Sequence, residues 1–200
     1  MKIFKNFNIE KKFQNSAIAI GNFDGFHLGH QRVIKKGKQI AKRKNLKFGL
    51  MVFQPLPVMF FNKKLKNYRI DSLQQKINSS KKLGIDFLII KKFDKKFSNI
   101  NAEDFIKKIL YKKLKNKLVF ISKNFRFGKN RTGDIRLLKR KEELFNYKTN
   151  TITPLNKKGT IISSTLIRKN IKEGKIEQAS RMLGRFWSIE GNVRRGERRG

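Results

Sequence analysis

The stretch "AIAIGNFDGFHLGHQRVI", Ala17 to Ile34, decides the reading of this chain. "SAIAIG" is a short apolar run of the kind that forms a buried strand, and a helix follows from about Leu28 to Lys44. Between them lies a glycine-flanked turn. At its end stand both histidines of the 200-residue chain, His27 and His30.

The same alternation continues outward. "KFGLMVF" is a second strand, and "QPLP" then makes a rigid loop, because proline fixes φ and removes a donor. Asp71 is the expected cap of a helix over "SLQQKINSSKKLG", with Gly84 as its stop. A strand "DFLIIKKF", a capped helix "NAEDFIKKILYKKL" and a strand "KLVFIS" come next. A helix "GDIRLLKRKEELF", a strand "YKTNTITP" and a short strand near Thr160 complete the series. Two short helices, "SSTLIRKNIKEG" and "KIEQASRML", follow. Strands alternating with helices imply an α/β architecture: a parallel sheet covered on both faces. The closing "LGRFWSIEGNVRRGERRG" differs in character. Its "FWSIEGNV" is expected to begin a new strand, the start of a second module, whose unpaired edge would be an aggregation hazard.

Composition sets the outer limits. With 38% hydrophobic residues and 18 phenylalanines, the chain has material for a real core. Its formal net charge is +36, from 50 Lys and Arg against 14 Asp and Glu. That balance suits polyanions, but the lysines are scattered along every segment rather than gathered in a stripe, so no specific nucleic-acid partner is expected. With no cysteine there is no disulfide, thiolate nucleophile or cysteine-ligated zinc. The amino terminus lacks a signal-peptide hydrophobic region, and no apolar run is long enough to span a membrane, so a cytoplasmic protein is expected.

In open α/β sheets, ligands bind beyond the carboxyl ends of the strands. Four unusual segments fall there: "GNFDGFHLGH", "FQPLP", "NFRFGKNRTGD" and "ISSTLIR". His27 and His30 lie one turn apart at a helix start, where free N–H groups and the positive end of the helix dipole favour oxygen anions. Gly25 and Gly29 let backbone approach a ligand closely. A shared metal ion and simple solvation are the alternatives, and only Asp24 stands near enough to add a ligand to the first. Ser163 or Ser164 is a natural N-cap, and Arg168 one turn on allows hydroxyls and a guanidinium to converge on one phosphate. In "NFRFGKNRTGD" one phenylalanine packs in the core, while Asn124 faces a ligand or a metal-bound water. Pro55 and Pro57 form a stiff wall for a flat ring.

These segments, in this order, resemble the adenylyltransferase module of the bacterial bifunctional riboflavin kinase/FAD synthetase family. The matching elements run from Gly21 to His30, Phe53 to Pro57, Phe125 to Asp134 and Ile162 to Arg168, with "FDKKF" between them. Gln54, where an acidic residue is common, and Phe186, where proline is usual, depart from the pattern. The resemblance implies a Rossmann-like parallel sheet of the nucleotidylyltransferase type over residues 1–184. Residues 185–200 would then be a truncated start of the riboflavin kinase β-barrel, so riboflavin phosphorylation is not expected from this polypeptide. The implied reaction is transfer of AMP from ATP, carried with Mg2+, to FMN, giving FAD and pyrophosphate. His27, His30 and Arg168 would be catalytic. Gly21, Asn22, Phe23, Asp24, Gly25, Gly29, Ser163, Ser164 and Thr165 would hold ATP. Phe53, Pro55, Pro57, Asn124, Phe125 and Arg126 would hold the flavin, and no side chain is expected to ligate a resident metal. The rival readings are a nucleotidylyltransferase with another phosphorylated acceptor and a basic RNA-binding protein.

Overall fold

A computed structural model describes residues 1–152, 155–157 and 160–191. Six strands form one sheet: β1 (Lys2–Phe4), β2 (Ala17–Ile20), β3 (Phe48–Gln54), β4 (Phe87–Lys92), β5 (Leu118–Ser122) and β6 (Lys148–Ile152). Their order is β1-β4-β3-β2-β5-β6, and every neighbouring pair is parallel. The expected parallel sheet is therefore present, but an unforeseen amino-terminal strand belongs to it and the short strand expected near Thr160 does not. "KIF" at the amino terminus is too short to show a pattern, and it becomes β1 by pairing with β4.

Both faces of the sheet are buried, as a parallel sheet requires. Along β3, Phe48, Leu50 and Val52 join one core with Ala17 and Ala19, while Met51 and Phe53 join the other with Ile18 and Ile20. On the first face pack α1 (Leu28–Arg43), through Ile34 and Ala41, and α3 (Leu73–Lys82), through Leu73 and Ile77. On the second packs a helix that begins as α5 (Ala102–Asp104) and continues with wider π-type winding over Phe105–Lys113. α6 (Ile135–Arg140) adds Leu138 there and stops short of the expected Phe145.

Other expectations are corrected at the termini of elements. Ser72, not Asp71, caps α3: its hydroxyl accepts from the Gln75 N–H, and the Gln75 side chain accepts from the Ser72 N–H. Asp71 is instead paired with Arg185. The "QPLP" loop is shorter than read, because Pro57 opens a one-turn helix, α2 (Pro57–Phe61), at the first helical position, where its missing N–H costs nothing. α4 (Lys95–Ser98) covers the end of β4 and is capped by Asp94.

A hairpin of β7 (Asn156–Lys157) and β8 (Thr160–Ile161) leads into α7 (Ser164–Lys172) and α8 (Ile176–Leu183). These helices form a third cluster with Ile70, Ile162, Ile167, Ala179 and Leu183. Of the expected strand "FWSIEGNV", residues 186–191 carry no regular secondary structure, and Asn192 and Val193 lie outside the described residues, as do Thr153 and Pro154 of "YKTNTITP". Trp187 turns back onto the body: its backbone N–H donates to the Ser180 hydroxyl and its ring N–H to the Ile70 carbonyl. No helix among the described residues is long and apolar enough to cross a membrane.

Candidate functional site

From β2 the chain builds in one direction through β3 to β4, then crosses back to place β5 on the other side of β2. The loops after β2 and β5 therefore diverge, leaving a crevice at the carboxyl edge where this fold class binds ligands. Gly21 to His27, directly after β2, forms the first wall, and the segment from Asn124 onward follows β5, the neighbour of β2.

The first wall is built of backbone in an unusual conformation. Phe23 (φ 43°), Gly25 (φ 81°) and Phe26 (φ 40°) all adopt left-handed geometry. Such conformations cost energy for bulky residues and persist where the surroundings hold them. Here Phe23 and Phe26 are buried and stack with ring centroids 5.9 Å apart, which holds the loop. None of the N–H groups of residues 22–29 donates to an acceptor among the described residues. Consecutive free N–H groups beside left-handed residues can form a concavity suited to an oxyanion, and here they run directly into the start of α1.

His27 is the N-cap of α1. Its Nδ1 accepts from the His30 N–H at 3.3 Å, so a neutral His27 carries its proton on Nε2 and presents a donor there. The His27 and His30 rings stack at 3.7 Å, and Phe23 lies 5.1 Å from His30 on another side. Burial lowers the His27 pKa to about 4, with the Arg168 charge adding to the effect. Burial also holds His30 well below the ordinary imidazole value, reinforced by the charges of His27 and Lys76. Both rings are neutral at pH 7. Gly29 lies under the His27 ring, where a Cβ would come within 3.0 Å of it and 3.4 Å from the Ile162 carbonyl.

α7 meets this loop through Asp24. The Ser164 hydroxyl donates to the Asp24 carbonyl at 2.9 Å, and Arg168 donates to the buried Asp24 carboxylate at 2.8 Å. That carboxylate also accepts from the Ile70 N–H at 3.2 Å, so it faces protein donors. The Arg168 guanidinium lies 4.1 Å from the Tyr68 ring. Ser163 caps α7 through Leu166, and Thr165 is exposed.

The residues expected to hold a flavin lie along neighbouring loops. Phe53 is buried against Phe93 and Phe97, Pro55 precedes α2, and Pro57 starts it. Phe60 and Phe61 of α2 pack on Phe93, and Phe61 is 71% exposed, giving an aromatic ledge at the sheet edge. Asn124 and Arg126 are exposed, with Arg126 3.5 Å from Asp134. Phe125 is half-buried on Phe127, which is the core phenylalanine of that segment.

The sequence reading missed Lys76, Tyr68 and the ledge residues Phe60 and Phe61. Lys76 stands on the α3 stripe with Leu73, Ile77 and Ser80, a helical-period signal hidden by the abundance of lysine elsewhere. A separate cleft of about 730 Å3 runs between α1 and α3 near the opposite ends of the strands, where Lys38 and Lys47 are occupied by the Leu83 carbonyl and Asp86.

A family profile described as FAD synthetase matches residues 9–166. The bifunctional riboflavin kinase/FMN adenylyltransferase of Buchnera aphidicola subsp. Schizaphis graminum is 43% identical, over 100% of this chain and 65% of its own length. The protein of that description from Escherichia coli K12 is 29% identical over 94% of this chain and 60% of its own. The chain thus spans 60% to 65% of the length of these curated relatives. A solved structure titled macrolide-efflux protein, from Streptococcus pneumoniae, has a TM-score of 0.77 at 24% identity, covering 92% of this chain and 59% of that one. Pantoate-beta-alanine ligase from Francisella tularensis gives 0.56 at 19% identity, covering 92% and 78%. At these identities the two structures show a shared fold and nothing about transport or ligation. The profile match, spanning the β2 loop, the β5 loop and the start of α7, shows that this chain belongs to the FAD synthetase family.

Proposed function

We propose that this chain transfers AMP from ATP to FMN. A phosphate oxygen of FMN attacks the α-phosphorus of ATP; the new P–O bond forms as the bond to the β-phosphate oxygen breaks, and pyrophosphate leaves with the electron pair. The second ionisation of a phosphate monoester lies near pH 6, so the nucleophile arrives charged and needs no strong base. What remains is alignment and the neutralisation of charge growing on the leaving group.

The free N–H run from Asn22 to Gly29 is the single observation that carries this reading. These donors, with Gly21 at the loop's start, would cradle the triphosphate, and the Nε2–H of His27 would stabilise the departing pyrophosphate together with His30. Magnesium enters as part of the substrate. Its ligands would be largely phosphate oxygens and water. Arg168, Ser163, Ser164 and Thr165 would approach from α7, with Arg168 exchanging Asp24 for phosphate. Phe53, Pro55, Pro57, Asn124, Phe125 and Arg126 would seat the flavin beside the aromatic ledge.

The test offers Mg–ATP with FMN, phosphopantetheine or nicotinamide mononucleotide and measures pyrophosphate and the dinucleotide formed. FAD from FMN alone is the expected result. Turnover of another acceptor in preference to FMN would overturn the substrate assignment.

A further inference from the structure

Lys76 is a buried titratable group that this reaction leaves unused. The residue is 2% exposed, and its Nζ donates to the Asn22 carbonyl at 2.7 Å. An ammonium has three donors, and no second hydrogen-bond acceptor for this one is found among the described residues. Burial pushes its pKa below the ordinary lysine value, while the carboxylates of Asp24 and Asp71 work to keep it charged.

The Asn22–Phe23 peptide is where the loop turns into left-handed geometry at Phe23. In a trans peptide the C=O and N–H point in opposite directions. A carbonyl drawn towards Lys76 therefore sends the Phe23 N–H away from α3, where it meets no acceptor among the described residues. If this peptide flipped, a carbonyl oxygen would replace a donor in the concavity and repel phosphate.

We propose that Lys76 is the positioning residue of the phosphate-binding loop, gripping the Asn22 carbonyl so that the Phe23 N–H faces the anion. The assignment rests on the triphosphate reading of that loop and deepens it. Lys76 itself touches the loop and acts through it.

The experiment measures binding of Mg–ATP, inorganic tripolyphosphate and FMN by calorimetry to the wild type, Lys76→Met and Lys76→Arg, with thermal unfolding of each. Loss of one hydrogen bond from a charged group corresponds to about 10- to 100-fold. Lys76→Met should weaken ATP and tripolyphosphate by that same factor, leave FMN affinity within twofold, and be partly rescued by arginine. A general structural defect would instead weaken all three ligands together. A folded Lys76→Met chain that binds tripolyphosphate as the wild type does would overturn the proposal. So would failure to fold of both Lys76→Met and a second neutral variant, Lys76→Gln, made and unfolded alongside it, which makes the lysine a stability residue. Wild-type protein that binds both phosphates yet makes no FAD sinks the FMN assignment and leaves Lys76 in its role.

Discussion

At the scale of single residues, the proposed role of the imidazoles as hydrogen-bond donors depends on their being neutral. A charged His27 would cost burial energy in the free protein, and its Nδ1 could no longer accept from the His30 N–H. A preorganised donor of this kind is worth about a hundred- to a thousandfold in rate. His30→Ala is expected to lower the rate of FAD formation by that factor, with the circular dichroism spectrum unchanged; near-normal turnover would remove the ring from the mechanism. Burial of His27 also has a stability consequence with a definite sign. The unfolded chain binds a proton near the ordinary pH 6.5, but the folded chain binds it only near 4. Between those values the unfolded state holds more protons, so stability is full above pH 6.5 and falls as the pH drops. The contribution is on the order of 3 kcal/mol. His27→Gln should flatten the fall in thermal midpoint between pH 6.5 and 5, measured in parallel with the wild type.

At the scale of elements, the site is three pieces tied at one carboxylate. Asp24 joins the β2 loop to the Ile70 segment through backbone N–H groups and to α7 through Arg168. α3 and the residue before its cap then reach two ways. Lys76 holds the loop, while Asp71 and Gln75 hold Arg185 and Ser188. Removing one member of a buried ion pair strands the other, at a cost of about 3–5 kcal/mol. Asp24→Ala is expected to lower stability by about 3 kcal/mol in urea unfolding and to release α7, seen as faster hydrogen exchange over residues 164–172. Gly29→Ala tests the contact between the start of α1 and the histidine above it. Its Cβ would sit 3.0 Å from the His27 ring, so ATP affinity should fall while the chain remains folded. An unchanged ATP dissociation constant would show that the ring's placement does not matter.

At the scale of the molecule, the excess of positive charge is spread over the surface of an otherwise ordinary parallel sheet. A net charge of +36 repels itself, and salt screens that repulsion. Raising KCl from 20 to 200 mM should therefore raise the thermal midpoint by about 3 °C, a gain of about 1 kcal/mol. A midpoint that falls instead would mean that the surface ion pairs outweigh the repulsion. The same field should give weak RNA binding, measurable by filter binding across a KCl series, that fades steeply with salt and is indifferent to His30→Ala.

The buried strands and their order along the chain were legible because β2 to β5 are apolar runs separated by turns, a pattern local enough to read. Three of the four expected loops follow strands of the sheet and were legible because parallel strands all exit at one edge; "ISSTLIR" instead follows the separate β7–β8 hairpin and meets the β2 loop through Ser164 and Arg168. Other features were not local. Asp71 and Ser72 are adjacent and both suit a cap; only the arrival of Arg185, more than a hundred residues on, assigns one to the ion pair and leaves the other to the helix. "KIF" becomes a strand only when β4 offers an edge. Lys76 is one cation among many until the fold buries it against the Asn22 carbonyl. The sequence by itself determined the α/β alternation, the histidine pair at a helix start and the family to which these motifs belong. The tertiary structure alone decided which charges are buried, which partner each one takes and which backbone donors are left free. Those outcomes depend on desolvation and on contacts between distant segments, and neither is encoded in any local stretch of chain.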